Sequence, residues 1–280
     1  MPDARQTVPH RGCSLSYFTR GEGPPVLFIQ GTGVAAEGWL PQIDALAKHF
    51  RCAAFDNRGF GPSQPLSEPL TLELMADDAL AVMDALGWKS AHVVGHSLGG
   101  LIAQFVAHRA PERVRSLSLL CTFANGAIPT RLTWSMLKTG MRTRIGTRRM
   151  RRHAFLELTL APHELATNDR DALAEQLGAL FGHDLADSPP VVMKQLGAMS
   201  KADATPFLAS LAKVPTFVLA AEHDRIAPLD AGRALARAIP GARLFELAGA
   251  AHGGVITRAD EVNALLREHI ENAEAPRATA

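Results

Sequence analysis

The sequence predicts an α/β protein: a mostly parallel sheet with helices on both faces, interrupted once by a helical insertion. Short continuous apolar runs recur along the chain, helical patterns separate them, and glycine-bearing turns follow several of the runs. Continuous apolar runs suit strands buried on both faces, where no polar alternation is needed. Strand–helix alternation implies parallel pairing, because the helix carries the chain back to the starting edge of the sheet.

Residues 14–19 (SLSYFT) supply a candidate antiparallel edge strand. Residues 25–30 (PVLFIQ), 51–55 (RCAAF), 91–94 (AHVV), 114–120 (VRSLSLL), 215–221 (PTFVLAA) and 242–247 (ARLFEL) read as the parallel strands. Helical patterns cover 73–86, 98–108, 230–238 and 260–270. The alternation stops between 123 and 212, where apolar residues still recur (Trp134, Phe155, Leu173, Phe181) but no strand stands out. This predicts a core domain from 1–122 and 213–273, a helical cap at 123–212, and a disordered tail at 274–280.

With 280 residues and 47% hydrophobic content, the chain can bury a sizeable core without disulfides. A net charge of +1 gives no whole-molecule attraction to nucleic acid or anionic lipid. Three cysteines, far apart and without a CxxC pair, fit a reducing compartment. The N-terminus lacks a signal-peptide pattern, and no apolar run approaches the ~20 residues of a membrane helix. The expectation is a cytoplasmic protein with no membrane span. Neither HExxH nor paired cysteines appear, and Gly21-Glu22-Gly23 lacks the following helix of a phosphate site, so no metal or cofactor is expected.

The chemistry begins at Gly95-His96-Ser97-Leu98-Gly99, a G-x-S-x-G sequence between a strand and a helix. A serine on so sharp a turn is held in a strained backbone conformation, and the residues two before and two after it approach too closely for side chains. The turn lifts the hydroxyl above the sheet and aims unpaired helix N–H groups at the same spot. Ser97 is the candidate nucleophile.

A serine hydroxyl needs a base, and the base needs an orienting acid. The order for this arrangement is serine, acid, histidine. Asp224 follows the PTFVLAA strand and His252 follows the ARLFEL strand, both at the carboxyl ends where open α/β sheets bind ligands. Glu222 is the weaker acid, and His223 precedes the acid against that order. His96 reads as packing beside the sheet, and Asp56 as a turn carboxylate paired with Arg58. Attack on an ester carbonyl also requires preorganised donors for the oxyanion. The Leu98 N–H is one; the loop Gln30-Gly31-Thr32-Gly33 offers the other, Thr32 first and Gly33 second. Gly31, Gly33, Phe123 and Trp134 are the candidate substrate-binding residues.

FDNRGFGPS (55–63), VVGHSLGG (93–100), PERVRSLSLL (111–120), AAEHDRIAP (220–228) and GAAHGG (249–254) resemble the motifs of the α/β-hydrolase superfamily. The resemblance implies the α/β-hydrolase fold. Among subfamilies the chain is most similar to small esterases, enol-lactonases and cofactor-independent perhydrolases. Many members carry His-Gly where this chain has Gln30-Gly31. Serine at 97 separates it from related dehalogenases and epoxide hydrolases, which use a carboxylate nucleophile.

Residues 131–152 are rich in arginine and hold no acid (Arg131, Lys138, Arg142, Arg144, Arg148, Arg149, Arg151, Arg152). A solvated helix face opposed by acids elsewhere is favoured over an anionic-substrate or membrane-surface patch. Trp134, Met136, Leu137 and Met141 are expected to face the core or an acyl pocket. The leading function is cleavage of a small ester or lactone, with that small molecule as the partner and no nucleic acid. Carbon–carbon bond hydrolysis or perhydrolysis could use the same three residues. A non-catalytic binder on this fold is the alternative from another class.

Overall fold

The computed structural model describes residues 4–128 and 134–275, with the backbone alone for residues 134–137. Among the described residues, eight strands form one sheet: β1 (Gln6–His10), β2 (Cys13–Arg20), β3 (Pro25–Ile29), β4 (Arg51–Phe55), β5 (Ala91–His96), β6 (Val114–Leu120), β7 (Thr216–Ala221) and β8 (Arg243–Leu247). Their order is β1-β2-β4-β3-β5-β6-β7-β8. β1 and β2 are antiparallel, β2 meets β4 antiparallel, and β3 to β8 pair in parallel. The predicted edge strand is therefore one place inside the edge. β1 was hidden by its exposed, polar sequence QTVPH, whose proline is tolerated because an edge strand has an unpaired side.

The helices are α1 (Leu40–Leu46), α2 (Leu72–Ala85), α3 (Leu98–Arg109), α4 (Trp134–Arg142), α5 (Arg148–Thr159), α6 (Pro162–Thr167), α7 (Arg170–Phe181), α8 (Val191–Met199), α9 (Leu229–Ala238), α10 (Gly254–Thr257) and α11 (Ala259–Glu274). α2 opens on Thr71, whose side chain accepts the Leu74 N–H at 3.1 Å. Successive residues of β3 point to opposite faces. Leu27 and Ile29 join the core with α2 and α3, while Val26 and Phe28 join the core with α1 and α11. Phe28 is fully buried, so its truncation to alanine would cost about 3–5 kcal/mol. α11 continues to Glu274, where the tail was expected to begin, and Glu274 pairs with Arg115 at 3.1 Å. Residues 276–280, the rest of that predicted tail, lie outside the described residues.

Between β6 and β7 the chain forms α4 to α8, with a core of their own that includes Leu156, Leu160, Leu165 and Leu177. Arginines of this segment meet acids from its other parts: Arg148 with Asp184 at 2.7 Å and Asp187 at 2.9 Å, Arg149 with Asp171 at 2.8 Å, Arg142 with Glu157 at 2.6 Å. Arg152 also hydrogen-bonds Asp184 and is the largest influence holding that carboxyl well below the carboxylate range. Most of these pairs are exposed, where solvent screening and the entropy of holding long side chains leave little net stabilisation. Met141 is 52% exposed and does not line the cavity beside Ser97, against the expectation that it faces the core or an acyl pocket. The side chains of Trp134, Met136 and Leu137, like all of Arg131, lie outside the described residues.

The pairing expected for Asp56 is also corrected. Asp56 binds Arg5 at 2.7 Å and accepts the Ala36 N–H at 2.8 Å. Arg58, fully buried, instead donates to Asp78 at 2.9 Å. A buried guanidinium needs a carboxylate to face, and helix α2 brings one from twenty residues away.

Candidate active site

Ser97 joins β5 to α3 at φ 55°, ψ −122°, a region that L-residues with side chains seldom occupy. Its neighbours explain how the turn closes. A Cβ at Gly95 would strike the Gly99 backbone, and one at Gly99 would strike the Ile29 carbonyl. The Ser97 N–H donates to the Leu120 carbonyl at 3.0 Å, and the Thr122 hydroxyl donates to the Ser97 carbonyl at 2.6 Å. These contacts hold a conformation that the chain would otherwise leave.

Asp224 follows β7, and one of its carboxylate oxygens accepts the N–H groups of Ile226 and Ala227, both at 2.8 Å. The other lies 2.7 Å from His252 Nδ1, on the loop after β8. Both residues are buried. The His252 Nδ1–H donates to this carboxylate, which leaves Nε2 as the basic nitrogen. Glu222 accepts the Gly249 N–H at 2.7 Å and braces the histidine loop, and the His223 N–H bonds the Ala250 carbonyl at 2.8 Å. The acid in contact with His252 is Asp224.

Ser97 and His252 line one cavity of about 600 Å³, together with Gly31, Thr32 and Phe123. Leu98 opens α3, so its N–H has no helix carbonyl one turn back. The turn after β3 comes close to the serine: a Cβ at Gly31 would lie 3.2 Å from Ser97 Cβ. Gln30 closes that turn itself, its side-chain oxygen accepting the Gly31 N–H at 2.9 Å.

Gly33 departs from its predicted place. It is not among the cavity-lining residues. Its N–H donates to Gln195 Oε1 at 2.9 Å, and its carbonyl accepts from His183 Nε2 at 2.9 Å. An N–H so engaged cannot serve an oxyanion, which leaves Thr32 as the candidate from this turn. The Trp134 side chain lies outside the described residues. His96 lines the cavity where packing beside the sheet was expected, its Nε2 3.2 Å from the His252 carbonyl. Burial foremost, then the nearby His252, pushes the His96 imidazole down to about 3.

Sequence reasoning missed the residues that α5, α7 and α8 contribute, among them Phe155, Leu177, Phe181 and Leu196 in the cavity wall and Gln195 at Gly33. A lone glutamine in an amphipathic helix carries no signal of this role.

The model of the alpha/beta hydrolase fold family matches residues 24–259. A relative from Azorhizobium caulinodans named for carbamate hydrolysis is 31% identical over 90% of this chain and 93% of its own. A pimeloyl-[acyl-carrier protein] methyl ester esterase of Chromobacterium violaceum is 31% identical over 92% of this chain and 98% of its own. The crystal structure of the enol-lactonase from Burkholderia xenovorans superimposes with a TM-score of 0.80 at 27% identity, covering 95% of this chain and all of that one. The chain belongs to the alpha/beta hydrolase fold family.

Proposed function

We propose that the protein is a serine hydrolase that cleaves a small carboxylic ester or lactone through an acyl-enzyme. The observation that carries this reading is the Asp224–His252 hydrogen bond of 2.7 Å beside a cavity also lined by a serine held at φ 55°. Ser97 Oγ attacks the carbonyl carbon while His252 Nε2 takes its proton. The oxyanion is held by the N–H groups of Leu98 and Thr32. His252 then returns the proton to the leaving oxygen, and water, activated by the same nitrogen, releases the acid. Asp224 holds the tautomer and stabilises the imidazolium. Gly31 and Phe123 bound the substrate beside the serine, and the helical segment 123–212 caps the core formed by 1–122 and 213–273. The relatives named for carbamate, methyl ester and enol-lactone hydrolysis share one demand, attack on an acyl carbonyl bearing a leaving group, and this supports the reading.

The test is labelling by a fluorophosphonate together with turnover of p-nitrophenyl butyrate. Both are expected in the native protein and absent in Ser97→Ala. Turnover that survives Ser97→Ala would overturn the assignment.

A further inference from the structure

We infer that the substrate is a neutral ester or lactone with an apolar body, and that esters carrying a free carboxylate on that body are rejected. The inference rests on the proposed serine chemistry and adds a substrate class to it.

Among the described residues, no Arg, Lys, Asp or Glu lines the cavity that holds Ser97 and His252. Away from the reacting groups its wall is aliphatic and aromatic, with Phe155 and Leu160 from the α5 region, Phe181 from α7, Leu196 and Met199 from α8, and Ile226 after β7. The polar groups that join them, such as Thr159 and Ser200, are hydroxyls and carry no charge.

Among the described residues of the basic segment, none with a charge lines this wall. Arg142, Arg148, Arg149 and Arg152 are paired with acids of the same helical segment. Arg144 reaches the sulfur of Met193, a wall residue that is 54% exposed, at 3.1 Å, but does not itself line the cavity. His96, with its imidazole at about 3, is neutral near pH 7 and adds no positive charge to the wall.

Physical chemistry then separates two esters of equal length. An apolar chain gains roughly fourfold in transfer for each methylene taken out of water. A carboxylate carried into the same wall loses its hydration and finds no partner, which costs far more than one methylene returns. A cavity of about 600 Å³ is large enough for a substrate well beyond an acetate ester.

The experiment compares p-nitrophenyl acetate, butyrate, hexanoate and octanoate with the p-nitrophenyl monoester of octanedioic acid, at pH 7.5, on the full chain. Fluorophosphonate labelling at Ser97 is scored first, since its absence refutes the serine reading and with it this inference. With labelling present, kcat/KM should climb severalfold per two carbons until the cavity is filled, and octanoate should exceed the octanedioate monoester by at least about 100-fold. A flat series, or a charged ester turned over within a few-fold of octanoate, overturns the inference and leaves the serine mechanism standing.

Discussion

Replacing Asp224 by asparagine changes one oxygen to an amide nitrogen, and the surrounding bonds dictate how that amide must sit. Ile226 and Ala227 both present N–H groups at 2.8 Å to one carboxylate oxygen, so the asparagine carbonyl has to stay there. Its NH₂ group is then directed at His252 Nδ1, 2.7 Å away in the native protein. Nδ1 becomes an acceptor, the ring proton moves to Nε2, and the nitrogen needed as base is blocked. In a serine protease the corresponding change lowers kcat about 10⁴-fold. The same loss here corresponds to about 5 kcal/mol of transition-state stabilisation. The assay is kcat for p-nitrophenyl butyrate, with thermal unfolding monitored so that a misfolded variant is recognised. Glu222→Gln is the control, because an amide oxygen can still accept the Gly249 N–H, and it should lose no more than a few-fold. Near-full activity in Asp224→Asn, or a collapse in Glu222→Gln alone, would refute the reasoning.

Other outcomes follow from the same contacts. Ser97→Gly, freed from the strain of φ 55°, should be about 1 kcal/mol more stable than Ser97→Ala by urea unfolding, while both are inactive. Gly99→Ala should lose about 3 kcal/mol or fail to fold, because its methyl meets the Ile29 carbonyl, which cannot move without breaking the sheet. Gln195→Met removes the acceptor of the Gly33 N–H and should cost about 1–3 kcal/mol in the same assay. Burial above all, with His92 and Arg243 nearby, pushes His269 on α11 down to about 4. An unfolded histidine titrates near 6.5, so the unfolded state binds the proton first as pH falls. The stability from neutral His269 is complete above pH 6.5 and is lost between 6.5 and about 4. His269→Gln should flatten the stability–pH curve across that window by roughly 3 kcal/mol.

The elbow was readable because its requirements are local. Gly95 and Gly99 lie within five residues of chain, and the clashes they avoid are with the turn itself and the strand beside it. The meeting of Asp224 with His252 was readable because strand ends mark one edge of a parallel sheet, whatever the intervening chain does. The β1 strand was not readable. Its partner β2 is reached through Arg11 and Gly12 at φ 44° and 72°, a mirror-image hairpin turn in which arginine stands where asparagine or glycine would have signalled it. Arg58 was matched to the wrong acid because Asp56 is near in sequence, whereas Asp78 is near in space. The cavity wall was hidden for the same reason. Whether Phe155 or Leu196 faces solvent, core or substrate depends on how α5 and α8 lean on the sheet domain.

The peptide at Gly33 is gripped from two sides by side chains of the helical segment, Gln195 on its nitrogen and His183 on its oxygen. The backbone of Ala35 adds a third link to Phe181 at 3.1 Å. Swinging these helices outward to widen the mouth would tear those bonds from the residue next to Thr32. The turn beside Thr32 therefore takes its position partly from the helices above it, and a substitution that displaces α8 is expected to disturb that turn as well as the cavity wall.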